Sequence, residues 1–455
     1  MCATLFFDLI RPHLGRFTFL SSIAMSHFPQ LRVFLDISVF AGFKRALSIV
    51  CLGSCLFGAC MTAKAETNTQ VKGSLAIIGG ALRYDNNVVW QRIVQEAGGQ
   101  GAKIAIIPAA SANPDRTGQN VVKVLKQYGA DAYLLPLSVK YLDQDGKPTY
   151  AKVNRDAQWL AQLKNTNAVY FSGGDQSRIT KVLFNEDGTR TPLLDAIWDL
   201  YRRGGLIAGT SAGAAIMSET MFSNAKSVLH TLQNEIQVGR EIDKGLGFIG
   251  PNIFVDQHLI IRGRFARMLP VMQSQQIPLG LGVDENTAMF IFQQRSMEVV
   301  GYKGVIVLDL SQQQKKSNQT QFQIQNARIS YLSHGDKLDL ISKTITPSAD
   351  KELIKSTQSE EADQQPRMYS DILANTAVVE LMSNLIESPV RSLKGLAFDA
   401  RSKSPSLGFE FEFQKTADSK GYFSSQSGMD NFTVSEIRLD VRPVKFKKPL
   451  YQEIK

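Results

Sequence analysis

The sequence predicts an α/β protein: a doubly wound, mostly parallel sheet with crossover helices, a short antiparallel meander, and a C-terminal α+β extension. Three observations carry this expectation. From residue 74 short apolar runs alternate with amphipathic segments, as a parallel sheet covered on both faces requires. Glycines follow several of the runs, at Gly79-Gly80, Gly173-Gly174 and Gly209. Beyond about residue 345 the composition changes, and period-two alternation becomes the dominant pattern.

In chain order, residues 74–78 read as the first strand and 87–97 as the first helix. Further strands are expected at 103–107, 130–135, 168–171 and 206–208, with helices between most of them and right-handed crossovers. The runs 288–292, 297–300 and 304–309 read as the antiparallel meander closing the same domain, and 311–321 as a polar loop. In the extension, 351–365 is charged and Gln-rich, and 372–386 suits a helix. Leu407, Phe409, Phe411 and Phe413 alternate with polar or small residues as a half-buried strand. Phe432 and Val434, then Ile437, Leu439 and Val441, form another strand whose phase slip implies a bulge.

The 455 residues are 44% hydrophobic and 20% charged, which excludes a disordered chain and allows a sizeable core. The formal charge is +9. Residues 1–65 hold six Lys/Arg against two acids, leaving 45 against 40, or +5, for the rest. That excess is too mild to indicate a nucleic-acid partner, and no basic run is interleaved with aromatics. All four cysteines, Cys2, Cys51, Cys55 and Cys60, precede residue 66. The body therefore has no disulfide, no thiolate nucleophile and no Cys-ligated zinc.

Residues 44–65 carry a charged start at Lys44-Arg45, an apolar run to Ala59, and the small-x-small site Ala63-Lys64-Ala65. This pattern predicts a secretory signal cleaved after Ala65, and so a secreted or periplasmic protein with no membrane span in the mature chain. Lipoprotein anchoring through Cys55 or Cys60 is the alternative, and Met25 is an alternative start. The expected division is thus 1–65 upstream segment and signal, 66–345 main domain, and 346–455 extension of unassigned role.

The chemistry begins where an apolar run enters Gly209-Thr210-Ser211-Ala212-Gly213. G-x-S-x-G between a strand and a helix can hold a serine on a sharp turn, with the Ala212 N–H aimed at an oxyanion and the helix start favouring developing negative charge. A serine nucleophile needs a base, and only His230, His258 and His334 remain in the body. His258 follows the apolar run 253–255 in Asp256-Gln257-His258, and Arg262, Arg264 and Arg267 come next; His334 reads as part of a turn. Three arginines at a helix start oppose the dipole, which substrate carboxylates would explain. A third cluster, Ser172-Gly173-Gly174-Asp175-Gln176-Ser177-Arg178, puts a double glycine after a strand, where the Gly174 N–H can supply the second half of an oxyanion hole. No metal cluster with ligand spacing and no Walker-type phosphate loop is present, so neither a metal nor another cofactor is expected.

Gly173-Gly174-Asp175-Gln176, Gly209-Thr210-Ser211-Ala212-Gly213-Ala214, Asp256-Gln257-His258 with the three arginines, and Gly282-Val283-Asp284-Glu285-Asn286-Thr287-Ala288 occur in the order and approximate spacing of cyanophycinases. Over about residues 73–345 the chain resembles this branch of the peptidase E-like (S51-like) serine peptidase family. Gly79-Gly80-Ala81 resembles the family's opening motif, although Leu82 and Arg83 stand where many members have an acidic residue. The signal and extension resemble the exported branch.

The resemblance implies a serine-type hydrolase that degrades cyanophycin, a poly-aspartate bearing arginine on each β-carboxyl, to β-aspartyl-arginine dipeptides. It implies Ser211 as nucleophile, His258 as base, and Gly174 and Ala212 as the oxyanion hole. Arg262, Arg264 and Arg267 are then candidates for substrate carboxylates, and Asp175, Gln176, Asp256, Gln257 and Asn286 for substrate guanidinium groups, with Arg178 beside them. The family's acid falls between serine and histidine. Glu235 lies nearest that spacing, with Glu241 and Glu219 as alternatives. A dipeptidase acting on aspartyl or isoaspartyl dipeptides, and a binding protein that kept the fold without catalysis, are the competing functions. The expected partner is cyanophycin or a β-aspartyl peptide, and a homodimer is compatible with the sequence.

Overall fold

The computed structural model describes residues 71–314, 321–355, 368–401, 406–426 and 431–447, with 449, 450 and 454. The expected signal and its cysteines lie outside these residues. Five parallel strands form the heart of the first sheet, in the spatial order Ser74–Ile78, Leu206–Thr210, Ala168–Phe171, Lys103–Ile107 and Asp131–Leu134. Their side chains alternate between two buried layers. Ile77, Ile107, Val169 and Ile207 face one, and Ile78, Ile106, Tyr170 and Ala208 the other. Burial on both faces explains why these strands read as continuous apolar runs.

The helices that cover the sheet carry their own start signals. Asn86 caps Asn87–Glu96 through Val89 N–H, Asn113 caps Pro114–Gln127 through Arg116 N–H, and Thr191 caps Pro192–Arg202 through Leu194 N–H. Such a cap satisfies a donor that the first turn leaves without an intrahelical acceptor.

The expected meander divides between two sheets. Thr287–Phe292 and Ser296–Gly301 form an antiparallel hairpin on the edge of Ser74–Ile78. Val305–Asp309 instead crosses to a second sheet, between Leu279–Val283 and Ile324–Leu332. Alternating hydrophobicity marks a strand but carries no information about which neighbour it joins, and here both sheets offered an apolar face.

The second sheet also takes in the extension. Asn431–Phe446 pairs with Ile324–Leu332 on one side and Ser406–Gln414 on the other. Its register shifts between Ile437 and Val434, where Glu436 has φ 58°, which is the expected bulge. Phe409, Phe411 and Phe413 are fully buried and share a core with Phe265, Leu269, Leu308 and Ile329. The helix expected near 372–386 runs Ala377–Glu387 and caps this core. Residue 345 is therefore no structural boundary, and the described strands Met368–Tyr369, Ser392–Ala397, Ser406–Gln414, Lys420–Ser424 and Asn431–Phe446 are woven into the sheet that begins at residue 253. Lys351 fastens the join: wholly buried, it donates to Asp336, Ser333 and Thr433 at 2.7, 2.7 and 3.0 Å.

Candidate active site

The site forms where the two sheets meet, on three consecutive carbonyls. The first strand ends at Ile78, and Ile78, Gly79 and Gly80 each accept one backbone N–H from a different loop. Ser211 N donates to Ile78 O at 2.9 Å, His258 N to Gly79 O at 2.9 Å, and Asn286 N to Gly80 O at 2.9 Å. Segments 47 and 28 residues apart are thereby held side by side. The second sheet brings its two loops together beforehand. Ile253–Gln257 and Leu279–Val283 are parallel neighbours with Gln257 opposite Val283, so the residues that leave both strands emerge together.

Ser211 follows Leu206–Thr210 on a tight turn with φ 53° and ψ −108°, a region that a non-glycine residue occupies at a cost. A Cβ at Gly213 would lie 2.5 Å from the Phe171 carbonyl, so only glycine lets the turn close against the neighbouring strand. The following helix is the single turn Ala212–Ala215. It offers an oxyanion the Ala212 N–H, which has no intrahelical acceptor, rather than the dipole of a longer helix.

Ser211 Oγ lies 2.8 Å from His258 Nε2, and His258 Nδ1 lies 2.6 Å from Glu285 Oε1. His258 itself has φ 49°. A Cβ on Gly80, whose φ is +110°, would meet the imidazole at 2.2 Å, so the ring rests against a position that only glycine can occupy. Burial holds the His258 pKa below its ordinary value, the Glu285 hydrogen bond opposes that shift, and Arg262 and Arg264 add to the lowering. The imidazole is thus neutral at neutral pH, as a base requires. With Nδ1–H donating to the Glu285 carboxylate, the Nε2 lone pair faces the serine.

A pocket of about 350 Å³ opens over this triad, lined by Gly174, Gln176, Phe222, Gln257, Arg262, Arg264 and Arg267 among others.

Residues 75–300 match Peptidase family S51. The cyanophycinase of Geminocystis herdmanii is 30% identical over 286 residues, spanning 61% of this chain and 97% of that protein. The cyanophycinase of Trichormus variabilis is 28% identical over 290 residues, spanning 62% and 91%. The chain belongs to peptidase family S51. Among solved structures, a peptidase from an acI-B1 Actinobacterium aligns over 60% of this chain and 98% of its own, with a TM-score of 0.43 and 19% identity.

In this S51 peptidase the carboxylate that meets the histidine is Glu285, not Glu235. Glu235 is exposed, just after the helix Val228–Gln233. Glu241 is buried, accepts the Gln237 N–H at 3.2 Å and lies 3.6 Å from Arg240, while Glu219 is exposed. The sequence signal for Glu285 lay in parallel: it follows the apolar run 279–283 as His258 follows 253–257. Its neighbour Asp284 was also missed. Asp284 is buried and accepts Ile260 and Ile261 N–H at 3.1 and 3.2 Å, fixing the loop that carries Arg262.

The proposed substrate-binding residues divide. Gln176, Gln257, Arg262 and Arg264 line the pocket with Ser211 and His258. Arg264 donates to the Gln257 carbonyl and Oε1 at 2.9 and 3.1 Å but has no carboxylate partner among the described residues. Burial, aided by Arg267, pushes its pKa down to about 10. Asp256 is not available to substrate. It is 1% exposed, and both its oxygens accept from Arg267 at 2.7 Å, so Arg267 is chiefly the structural partner even though it reaches the pocket wall. Asp175 caps the helix Gln176–Leu183, accepting Ser177 N–H and Oγ–H at 2.9 and 2.6 Å. Arg178 donates to the Ala110 carbonyl at 3.2 Å and lies 3.6 Å from Asp175. Asn286 turns to the other side of Glu285, where its Oδ1 accepts from Arg83 N and Asn86 Nδ2 at 3.1 and 2.9 Å. In each case another protein group already engages the polar atoms: Arg267 for Asp256, the helix start for Asp175, the Ala110 carbonyl for Arg178, and Arg83 N with Asn86 for Asn286.

Proposed function

We propose that this S51 peptidase is a serine-type hydrolase of cyanophycin that releases β-aspartyl-arginine dipeptides. The observation that carries the reading is the Ser211–His258–Glu285 relay at the foot of a pocket whose half-buried Arg264 has only neutral partners. A guanidinium desolvated in that way is stabilised by an anion, and cyanophycin supplies free α-carboxylates. Arg262, half exposed and 3.9 Å from Glu285 Oε1, would add a second contact to substrate carboxylate. Gln176, whose Nε2 donates to the Phe222 carbonyl at 2.5 Å, offers its amide oxygen to the polymer's guanidinium groups, whereas Gln257 Oε1 already accepts from Arg264.

In this reaction Ser211 Oγ attacks the backbone carbonyl carbon while His258 Nε2 takes its proton. The carbonyl oxygen becomes an oxyanion beside the N–H groups of Ala212 and Gly174. Collapse breaks the C–N bond, and the imidazolium returns its proton to the leaving amine. Water then repeats the sequence and frees Ser211. Glu285, hydrogen-bonded to His258 Nδ1, stabilises the imidazolium. The similar cyanophycinases support the substrate. The sequence pattern at 44–65 supports export, which N-terminal sequencing of the mature protein would check.

The deciding experiment incubates purified protein with insoluble cyanophycin. Soluble β-aspartyl-arginine, absent with Ser211→Ala, is the expected result. Cleavage of small aspartyl dipeptides alone, or adsorption without release, would replace this reading with one of its two competitors.

A further inference from the structure

The serine pocket has a larger neighbour that its chemistry does not use. A cleft of about 660 Å³ shares two of the pocket's walls. One wall is the helix Gln176–Leu183. Gln176 lines the serine pocket, whereas Ser177, Thr180 and Lys181, spaced three and four residues apart on one face, line the cleft. The other is the hairpin of Thr220–Phe222 and Ile242–Lys244, which gives Phe222 to the pocket and Asp243 and Lys244 to the cleft.

Five charges of both signs surround this concavity: Arg155, Lys181, Lys244, Glu186 and Asp243. None is ion-paired with an opposite side chain among the described residues. Arg155 donates to Asn185 Oδ1 at 3.2 Å, and Lys244 donates to the Gly188 carbonyl at 3.3 Å and sits 4.6 Å from the Phe184 ring centroid. Asp243 accepts the Lys244 N–H at 2.7 Å. Cations and carboxylates that share one cleft without an opposite-sign side-chain partner among the described residues leave both signs available to a ligand that itself carries both. A polymer repeating a carboxylate and a guanidinium in every unit has that chemistry.

We propose that this cleft is a second binding site for the cyanophycin chain, holding a stretch of polymer other than the unit being cut. The inference rests on the proposed function. Its physical content is multivalency: a chain tethered in the cleft presents its remaining units to Ser211 at high local concentration, without any new contact at the reacting bond. Long chains gain from this, and fragments too short to bridge the shared walls do not.

The test uses Lys181→Glu with Lys244→Glu, and the charge-conserving Lys181→Arg with Lys244→Arg as control. Adsorption to insoluble cyanophycin is read in the Ser211→Ala background, and kcat and KM are read with Ser211 intact, on polymer and on a two-unit fragment. The reversed pair is expected to weaken adsorption and raise polymer KM by about tenfold or more, with fragment kcat/KM within about twofold and the arginine pair near wild type. Unchanged adsorption and KM would overturn the proposal. So would equal losses on polymer and fragment, which would mean damage to the wall carrying Gln176. Failure of the functional reading looks different. A protein that cleaves nothing but adsorbs through these lysines keeps the site and loses the activity, and one that neither cleaves nor adsorbs loses both.

Discussion

Replacing Glu285 with Gln tests the relay at its least expected member. The side chain keeps its shape and loses its charge. In the native site Glu285 Oε1 accepts from His258 Nδ1 at 2.6 Å, so Nε2 is free to accept from Ser211 at 2.8 Å. If the amide presents its NH2 to Nδ1, the ring must take the opposite tautomer, and Nε2–H then faces the hydroxyl whose proton it should remove. If the amide presents its oxygen, the tautomer survives, but a charge-assisted bond of about 1.5–3 kcal/mol becomes a neutral one of about 1 kcal/mol. The second outcome costs roughly tenfold in rate and the first up to about 10⁴-fold, so kcat should fall by about 10–10⁴ with KM little changed. Steady-state release of dipeptide from polymer measures this, with circular dichroism to verify folding. Glu235→Gln, at an exposed position, should behave as wild type. A Glu285→Gln enzyme that keeps more than about a tenth of its kcat, or a Glu235→Gln enzyme that loses most of it, would refute the assignment.

Three further outcomes are expected. Ser211→Ala and Ser211→Gly should both abolish turnover, but because Ser211 sits at φ 53°, only the glycine variant should gain stability, by about 1 kcal/mol in denaturant unfolding. The base acts when neutral, and burial lowers the His258 pKa, so the acidic limb of kcat/KM should lie below pH 6.5. Arg264→Gln removes a cation that disfavours protonation and should move that limb upward, read on a small activated ester to separate it from polymer binding; a downward shift would contradict the electrostatics. Arg267→Ala strips Asp256 of its buried partner and should destabilise the fold by about 3–5 kcal/mol, whereas Arg264→Ala should cost little stability and weaken polymer cleavage at least tenfold more than ester cleavage. Thermal denaturation alongside the two substrates distinguishes these cases.

Much of the fold was legible because local physics wrote it. The strands of the first sheet are apolar runs bounded by glycine turns, and the helices between them are amphipathic segments; the structure adds that three of these start at the capping residues Asn86, Asn113 and Thr191. The bulge near Glu436 showed as a slip in the period-two pattern, which depends only on alternation along one strand. Ser211 and His258 were legible for a related reason, since each sits at the end of an apolar run in a short motif.

What the sequence by itself determined, then, is what depends on neighbours a few residues away: strands, the serine turn and the scarcity of candidate bases. Only the tertiary structure decided which sheet Val305–Asp309 joins, that the described strands beyond residue 345 complete the second sheet, and which carboxylate reaches His258. These depend on pairings between distant segments, where burial makes many partners acceptable and register selects one. Glu285 meets His258 because Gln257 stands opposite Val283 and because Gly79 and Gly80 accept the backbone N–H groups of both loops. Asp256 is withheld from substrate because Arg267, eleven residues on, is buried against it. Spacing along the chain is blind to both, since a hydrogen bond across 2.6 Å of space is set by the fold that closes the distance.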